Sequence, residues 1–382
     1  MIFRILEDQF AQKARESKDA DRRFMQLALS LGRRGQGRTW PNPAVGAVIV
    51  RDGVIVGRGW TQPGGRPHAE PEALRRAGEA ARGATLYVTL EPCSHFGKSP
   101  PCADAVIAAG IKRVVAAIED PNPEVAGQGH ARLRAAGIAV DVGLCAAEAA
   151  FDHAGHFRRI RDKRPHVILK LAVSPDGKIG AAGGKPVVIT GQAARNRVHL
   201  LRAQSDAILV GIGTVLADDP LLTCRLPGMA ARSPVRVVLD QSLRIPASSQ
   251  LVLTARETAL WVVGSELAEA AAATRLGAGG AQIIRVPPGN ATGLDLPAVL
   301  QTLAEKGITR LMVEGGSRVA ASFVAADLVD EVWLFRGAED IGEAGVDALD
   351  ALPLSKITQS QVFRVHASET FDKDTLTIYE RA

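Results

Sequence analysis

Aromatic residues are scarce in this sequence of 382 residues, since Phe, Trp and Tyr together make up 4% of it. Aliphatic side chains must therefore fill the interior, and a hydrophobic content of 46% is sufficient for folded cores. No apolar run approaches the ~20 residues that a transmembrane helix needs. The N-terminus also lacks the continuous apolar segment of a secretory signal. We therefore expect a cytoplasmic protein that does not bind membranes.

Cysteine is equally scarce, with four residues in the whole chain. So few cysteines do not form the disulfide framework of a chain of this length. Cys145 and Cys224 are isolated in the sequence, and we interpret them as small buried hydrophobic residues. Cys93 and Cys102 differ, because each follows a proline and the two lie close together. This pair needs a separate explanation.

Positive and negative charges nearly balance in this sequence, which has a net charge of +5. The surplus belongs to the first part: residues 1–163 contain 24 basic and 18 acidic residues, whereas residues 164–382 contain 22 and 23. Blocks of Lys and Arg interleaved with aromatics are typical of nucleic-acid binding, and the sequence has no such block. We therefore expect a phosphorylated small molecule, and not a nucleic acid, as the partner.

Hydrophobic periodicity predicts an α/β protein. Residues 21–35 have helical spacing, and two short strands then meet at Asp52-Gly53, a dipeptide typical of hairpins. Strands and helices alternate from there to residue 142, which predicts a mainly parallel sheet covered by helices. A charged helix over 146–164 follows. His153 and His156 on that helix have no cysteine nearby, so we interpret both as facing solvent.

A second α/β series begins at the apolar strand that follows Pro165. No internal repeat at a fixed period relates it to the first series, so the two series look like different domains. We therefore divide the chain into an N-terminal extension of residues 1–20, a first domain of residues 21–163 and a second domain of residues 164–382.

The cysteine pair suggests a zinc site together with His68. Zinc favours tetrahedral nitrogen and sulfur ligands, and a catalytic site leaves one position to water. His68, Cys93 and Cys102 would supply three ligands, and Glu70 can accept a proton from the water. A His-x-Glu followed by Pro-Cys is typical of zinc deaminases. The eight residues between the cysteines exceed the usual two. Spacing alone therefore leaves open the alternative interpretation that these are three unrelated buried residues and a surface glutamate.

The segments TWPNPAVGAVIV, PHAEPEAL, YVTLEPCSHFGKSPPC and EDPNPEVAGQGH resemble the deaminase half of the bifunctional deaminase/reductases of riboflavin biosynthesis. The longer cysteine loop is normal in that family. The resemblance covers residues 21–143 and implies a three-layer, cytidine-deaminase-like domain. It implies that His68, Cys93 and Cys102 bind Zn²⁺ and that Glu70 carries protons. Its implied substrate contacts are Asn42, His95 and Lys98.

Two glycine turns in the second series are candidate phosphate sites. Gly211-Ile212-Gly213 follows an apolar strand, but Leu216 occupies the place of the third glycine in a dinucleotide fingerprint. The segment 314–317, Glu-Gly-Gly-Ser, ends a strand and opens a helix, where backbone N–H groups can hold a phosphate. A tight turn between a strand and a helix explains either pattern equally well.

The second series resembles the reductase half of the same family. The resemblance rests on RPHVILKLAVSPDGKIG, VITGQAARNRVHLLRAQSDAILVGIGTVLADDPLLTCR, VRVVLD and VEGGSRVAASFVAADLVDEV. It implies a dihydrofolate-reductase-like fold that binds NADPH. The implied NADPH contacts are Val173, Val188, Thr214, Asp218, Gly316, Ser317, Arg318, Val319, Ala320, Ala321 and Ser322. The implied substrate contacts are Arg202, Leu222, Arg225 and Glu314, with the arginines suited to a phosphate.

Two segments depart from the family pattern. Val188 stands where the family often has tryptophan, and residues 336–345 are more acidic than usual and lack a proline. These departures predict altered cofactor affinity or an altered loop position. They do not predict a loss of activity, because the glycine turn and the arginines are present.

The resemblance implies two reactions. The first is zinc-dependent hydrolytic deamination of 2,5-diamino-6-ribosylamino-4(3H)-pyrimidinone 5′-phosphate, and the second is NADPH-dependent reduction of its ribosyl group to ribityl. A deaminase of nucleosides or RNA bases would share the zinc chemistry, but the attached reductase half argues against it. A non-catalytic module with structural zinc is disfavoured, because such sites usually have four protein ligands and three are evident. We also expect a homo-oligomer.

Overall fold

The structure is a computed structural model that describes residues 19–97, 99–123, 125–182, 187–289 and 293–382. The predicted N-terminal extension lies almost entirely outside these residues. The chain divides into two compact units, and the boundary falls between Asp162 and Lys163. Among the residues that the structure describes, no helix combines the length and the apolar composition needed to cross a bilayer.

The first unit contains one five-stranded sheet and six α-helices within its described residues. The strands are β1 (Gly46–Arg51), β2 (Val54–Trp60), β3 (Thr85–Val88), β4 (Arg113–Ala116) and β5 (Ala139–Val142). The helices are α1 (19–33), α2 (Ala69–Ala77), α3 (Cys102–Ala108), α4 (Gln128–Ala135), α5 (Ala146–Asp152) and α6 (Ala154–Asp162). The strand order is β2-β1-β3-β4-β5.

Helices cover both faces of this sheet, so the unit has three layers. Ala47 and Ile49 of β1 belong to the apolar cluster that contains residues of α2, α3 and α4. Val48 and Val50, one position along, belong to the cluster that contains residues of α1 and α5. This alternation is the two-residue period of a strand whose two faces are both buried.

Small residues bring α2 very close to the hairpin. A Cβ atom at Gly57 would lie 2.4 Å from the carbonyl oxygen of Ala73, and one at Gly59 would lie 2.2 Å from that of Ala69. Such contacts are sterically forbidden, so both positions require glycine for this helix to pack where it does. This close packing shows how a sequence with few aromatic residues fills its core. It also fixes the start of α2, where His68 and Glu70 lie.

The expectation of a mainly parallel sheet holds for only half of the strand pairs of the first unit. The predicted hairpin is confirmed, with φ angles of 51° at Asp52 and 77° at Gly53, and β1 pairs antiparallel with both β2 and β3. The strands β3, β4 and β5 pair in parallel. Periodicity indicates that a strand exists but not which strand is its neighbour, so the mixed pairing was not visible in the sequence.

The single helix expected over 146–164 is two helices, α5 and α6, which meet at His153. His153 does not face solvent: it is 2% exposed, and its Nε2 atom lies 3.1 Å from the Thr89 hydroxyl oxygen. His156 is also largely buried, with Nε2 3.3 Å from the Asp120 carboxylate. The interpretation of both as solvent-facing was wrong, because carboxylate and hydroxyl partners from distant segments accommodate them.

The second unit contains a nine-stranded sheet in the order β11-β10-β9-β8-β12-β6-β13-β16-β15 and a two-stranded sheet, β14-β7. The strands are β6 (His166–Val173), β7 (Lys178–Gly180), β8 (Ala207–Gly211), β9 (Val235–Leu239), β10 (Leu260–Ser265), β11 (Gln282–Val286), β12 (Arg310–Gly315), β13 (Glu331–Arg336), β14 (Val346–Asp347), β15 (Phe363–Phe371) and β16 (Asp374–Arg381). The helices are α7 (Gln192–Gln204), α8 (Ile212–Asp218), α9 (Gln250–Leu253), α10 (Ala270–Ala278), α11 (Leu296–Glu305), α12 (Ser317–Ala325) and α13 (Ser355–Thr358).

Seven neighbouring strands of the large sheet, from β11 to β13, pair in parallel. Their carboxyl ends therefore lie along one edge, which is where open α/β sheets bind ligands. The central strands β6, β8 and β12 are buried apolar runs, as expected for strands covered on both faces. Lys170 and Glu314 are exceptions within these strands.

Two candidate active sites

The predicted zinc ligands converge in the first unit. His68 immediately precedes α2, Cys102 opens α3, and Cys93 lies in the loop between β3 and α3. The His68 Nδ1 atom lies 3.3 Å from Cys102 Sγ and 3.8 Å from Cys93 Sγ. A tetrahedral zinc ion with normal bond lengths requires about 3.5 Å between a nitrogen and a sulfur ligand. The three side chains therefore fit one zinc ion.

The protonation of the two cysteines also fits a cation. A hydrogen bond from Cys102 and the neighbouring His68 lower the pKa of Cys93 to about 4, even though burial opposes the shift. The same hydrogen bond and burial raise the pKa of Cys102. The pKa values of the two neighbouring thiols thus shift in opposite directions. A divalent cation between the sulfurs would stabilise both thiolates, which are the form that zinc binds.

Glu70 lies beside this cluster as the second residue of α2 and is 3% exposed. Burial raises its pKa to about 7. A carboxyl group with a pKa near neutrality can both accept and donate a proton. The interpretation of Glu70 as a surface glutamate is therefore excluded, and the arrangement can support a proton transfer next to the metal ligands.

Two hydrogen bonds hold the segment that precedes His68. The Asn42 side chain donates a hydrogen bond to the Gly65 carbonyl oxygen at 3.2 Å. The Arg66 guanidinium donates to the Ser99 hydroxyl and thereby joins the segment before His68 to the cysteine loop. His95 is exposed in that loop, and Lys98 lies outside the described residues. Sequence reasoning missed Arg66, although a cation two positions before a predicted zinc ligand was a visible signal.

Glu91 was missed as well. It is 4% exposed, and its carboxylate accepts hydrogen bonds from the backbone N–H groups of Asp120, Gly127 and His130. Glu91 directly precedes the Pro92-Cys93 dipeptide. These three hydrogen bonds therefore hold the loop that carries Cys93 against the segment that leads into α4.

In the second unit, Arg202 and Glu314 form a buried ion pair. Two nitrogens of the Arg202 guanidinium donate to the Glu314 carboxylate at 2.9 and 2.8 Å, and the third donates to the Thr223 carbonyl oxygen. The Lys170 ammonium lies 3.5 Å from the same carboxylate. Burial alone would raise the pKa of Glu314, but the charges of Arg202 and Lys170 outweigh it and lower this pKa to about 2.

All three nitrogens of the Arg202 guanidinium thus already donate hydrogen bonds within the protein. Arg225 differs because it is exposed, and its backbone N–H group donates to His199 Nδ1 of α7 at 3.3 Å. Leu222 is 4% exposed and belongs to the apolar core. Sequence reasoning missed Lys170, and the signal was a lysine inside an otherwise apolar strand.

A cavity of about 1380 Å³ lies at the carboxyl ends of the parallel strands. Its lining includes Ile179, Val187, Ser242, Arg244 and Leu294. The predicted NADPH contacts that line it are Thr214, Asp218, Gly316, Ser317, Arg318, Val319 and Ser322.

The other four predicted NADPH contacts are not part of the described cavity lining. Val173 and Ala320 are fully buried, Ala321 is half-buried, and Val188 is 77% exposed. Val187, next to Val188, lines the cavity instead. The turn that follows β12 is well suited to a phosphate, because Gly315 and Gly316 have positive φ angles of 129° and 36° and α12 begins at Ser317.

Comparisons with known proteins identify the family of both units. Residues 165–377 match the RibD C-terminal domain, and residues 18–118 match the cytidine and deoxycytidylate deaminase zinc-binding region. The riboflavin biosynthesis protein RibD of Aquifex aeolicus is 42% identical over 95% of this chain and 99% of its own length. The chain belongs to the RibD family. The RibD of Escherichia coli K12 is also 42% identical, over 90% of this chain and 95% of its own length.

Solved RibD structures have the same architecture. Acinetobacter baumannii RibD aligns with a TM-score of 0.83 at 36% identity, over 96% of this chain and 99% of that chain. A diaminohydroxyphosphoribosylaminopyrimidine deaminase/5-amino-6-(5-phosphoribosylamino)uracil reductase of Thermotoga maritima aligns with the same TM-score and identity, over 96% and 100%. The expected α/β fold, with a cytidine-deaminase-like domain followed by a RibD reductase domain, is confirmed.

Proposed function

We propose that this chain catalyses two steps of riboflavin biosynthesis on one phosphorylated pyrimidine. Residues 21–163 deaminate the diamino-ribosylamino-pyrimidinone 5′-phosphate, and residues 164–382 reduce its ribosyl group with NADPH. Membership of the RibD family over nearly the whole chain supports this assignment. The observation that carries it is the convergence of His68, Cys93 and Cys102 around one point beside the buried Glu70.

For the deaminase step, we assign Zn²⁺ to His68 Nδ1 and the two cysteine sulfurs. When bound, zinc acts as a Lewis acid that makes water a stronger nucleophile at neutral pH. The Glu70 carboxylate accepts a proton from the attacking water and passes it to the amino group. The water oxygen bonds to the ring carbon, the carbon–nitrogen bond breaks, and ammonia leaves. Asn42, His95, Lys98 and Arg66 are assigned to the base and the phosphate.

For the reductase step, bound NADPH would supply the hydride that the ribosyl carbon takes up, and the ring oxygen released from that carbon would take up a proton. The chain binds the cofactor along the turn after β12 and orients the substrate with Lys170 and Glu314. Arg202 is a positioning residue that holds Glu314. The exposed Arg225 is assigned to the substrate phosphate, because its guanidinium is accessible whereas that of Arg202 is engaged.

The assay that tests both steps follows ammonia release and NADPH oxidation separately on the pyrimidine phosphate. We expect both signals from the wild-type chain. Ammonia release without NADPH oxidation would contradict the reductase assignment. The absence of both signals would contradict the whole proposal. Glu314→Gln is expected to abolish NADPH oxidation and to preserve ammonia release.

We further propose that the chain acts in the cytoplasm as a homo-oligomer. An edge strand supports self-association, because β15 ends the nine-stranded sheet and Val365 on it is 61% exposed. Sedimentation equilibrium of the full chain tests the assembly, and a monomer at all concentrations would contradict it.

A further inference from the structure

A second cluster of potential metal ligands lies in the first unit and shares no residue with the predicted zinc ligands. It consists of Glu91, Glu119 and His130, whose ligand atoms all lie within 4.8 Å of one another. The His130 Nδ1 atom is 3.8 Å from Glu91 Oε1 and 3.9 Å from Glu119 Oε2. The ligands come from three segments, because Glu91 follows β3, Glu119 follows β4, and His130 lies in the first turn of α4.

His130 lacks the partners that other buried histidines of the described chain have. Its side chain is 2% exposed, and both distances from Nδ1 to a carboxylate oxygen exceed the length of a hydrogen bond. Its Nε2 atom is buried and has no hydrogen-bond partner among the described residues. By contrast, Nε2 of His153, His156 and His166 lies 3.1, 3.3 and 3.0 Å, respectively, from a hydroxyl or carboxylate oxygen. A buried ring without a hydrogen bond is costly, so the surroundings of His130 point to a ligand.

The protonation state of His130 suits a cation. Burial lowers the pKa of this side chain, and the charge of Arg134 lowers it further. The charges of Glu91 and Glu119 oppose the shift without reversing it. The imidazole is therefore neutral at neutral pH, which is the form that binds metals. Because the ring carries no charge, it does not compensate the two carboxylates, and a cation between the three side chains would be attracted by both.

The backbone holds two of the three ligands in place. Glu91 Oε1 accepts one hydrogen bond, from the His130 N–H group at 3.2 Å, whereas Oε2 accepts two others from the segment before α4. Oε1, the atom nearest to Nδ1, therefore retains a lone pair. An added Cβ atom at Gly129 would lie 2.0 Å from the Pro92 carbonyl oxygen, so this glycine lets α4 begin directly against the segment that carries Glu91. The positions of Glu91 and His130 are thus fixed before a cation binds.

Glu119 is the adjustable ligand, because its side chain is 54% exposed. Nitrogen and oxygen ligands of a first-row divalent cation lie roughly 3.0–3.5 Å apart when the bonds are about 2.1 Å long. The observed separations are slightly wider, and small rotations of the Glu119 carboxylate and the His130 ring would close them. One imidazole and two carboxylates suit Mn²⁺ and Zn²⁺, with water in the remaining positions. The exposure of Glu119 also gives the cation a path from solvent.

We propose that Glu91, Glu119 and His130 bind a second divalent cation, of the Mn²⁺ and Zn²⁺ class, that cross-links the Cys93 loop to α4. The site is separate from the proposed deaminase and reductase chemistry, and neither reaction depends on it. Glu91 lies two positions before Cys93, so the cation would stabilise this loop in the folded state. A ligand that binds only the folded chain raises its melting temperature.

Mn²⁺ is the probe, because it is the weakest binder of the first-row series and does not displace zinc from thiolates. The full-length chain is loaded with one equivalent of Zn²⁺, which the two predicted cysteine ligands take up first, and metal analysis verifies this content. Mn²⁺ is then titrated, and the EPR signal of the free ion measures binding. We expect one Mn²⁺ per chain and a melting temperature that rises with the Mn²⁺ concentration. A zinc-loaded chain that binds no Mn²⁺ at millimolar concentration would overturn the proposal.

Glu119→Gln tests the site without disturbing the core, since this side chain is largely exposed. The amide keeps the shape but loses the charge, so the Kd for Mn²⁺ is expected to rise by about tenfold or more. His130→Leu removes the nitrogen ligand and is expected to abolish binding. Because His130 is buried, the Glu119 variant decides the test if the His130 variant does not fold.

Glu79→Gln is the matched control, because it makes the same change of charge at an exposed glutamate of the same unit. Its Kd for Mn²⁺ is expected to stay within about twofold of the wild-type value, as is usual for a surface position without a ligand. Equal affinities in the wild type, Glu119→Gln and Glu79→Gln would place the cation elsewhere and refute the assignment. Ammonia release and NADPH oxidation are not readouts of these experiments, so the proposed function is tested independently.

Discussion

Arg202 on α7 and Glu314 at the end of β12 form a two-point ion pair, with hydrogen bonds of 2.9 and 2.8 Å. Both side chains are nearly buried, and Glu314 immediately precedes the glycine turn of the cofactor cavity. The pair therefore fixes a carboxylate at the border between the substrate residues and the cavity. Because the ion pair is buried, its loss should change the free energy of unfolding as well as the activity.

Removal of the Arg202 side chain is expected to destabilise the protein. Arg202→Ala leaves Glu314 buried with only Lys170 as a counter-charge, and a broken buried ion pair typically costs about 3–5 kcal/mol. Urea unfolding measures the loss of unfolding free energy. Arg225→Ala is the matched control, because this exposed arginine should change stability by less than about 0.5 kcal/mol. Equal effects of the two variants would contradict the role of Arg202.

The same pair predicts a dependence of stability on pH. The pKa of Glu314 is lowered from 4.5 to about 2 in the folded state, so its ionised form stabilises the fold above pH 4.5. This contribution, on the order of 3 kcal/mol, is lost as the pH falls from 4.5 to 2. The pH dependence of unfolding free energy should therefore be shallower in Glu314→Gln over this range. Identical slopes for the variant and the wild type would refute the prediction.

Glu70→Gln is expected to separate metal binding from catalysis. The amide keeps the size of the side chain but cannot take up a proton, so ammonia release should fall by about 10²–10⁴-fold. Metal analysis should still find one zinc per chain, and NADPH oxidation on the deaminated substrate should be unchanged. Glu72→Gln, two positions along α2 and paired with Arg75, is the control and should retain ammonia release. Normal deamination by Glu70→Gln would disprove the assignment.

Gly59→Ala is expected to impair the deaminase from outside its site. The added methyl group would lie 2.2 Å from the Ala69 carbonyl oxygen, so α2 must move, and Ala69 lies between His68 and Glu70. Ammonia release should fall while NADPH oxidation persists. Gly277→Ala in α10 adds a methyl group that meets no atom within 4 Å and serves as the control. Full ammonia release by Gly59→Ala would show that the helix position is not critical.

Local patterns in the sequence predicted the elements better than their arrangement. The Asp52-Gly53 hairpin was visible because its turn chemistry is contained in two residues. The side-by-side position of β1 and β3 was not visible, because strand pairing depends on contacts between distant segments. His153 illustrates the same limit, since the Thr89 hydroxyl that accommodates it lies far away in the chain.

In the candidate sites too, residues within local motifs were predicted, whereas residues that depend on distant contacts were missed. His68, Cys93 and Cys102 were predicted as zinc ligands from a short motif and a family resemblance, and in the structure their ligand atoms lie together. Lys170 was missed because its significance depends on Glu314, which approaches it from another strand. The engagement of Arg202 by that same carboxylate was hidden for the same reason.

The tight packing of α2 on the hairpin affects how other sequences should be read. Gly57 and Gly59 leave no space between strand and helix, so a larger residue at either position displaces the helix at whose start His68 and Glu70 lie. A relative could therefore retain every zinc ligand and its glutamate and still be an inactive deaminase. A search for working deaminases should screen these two glycines together with the ligands.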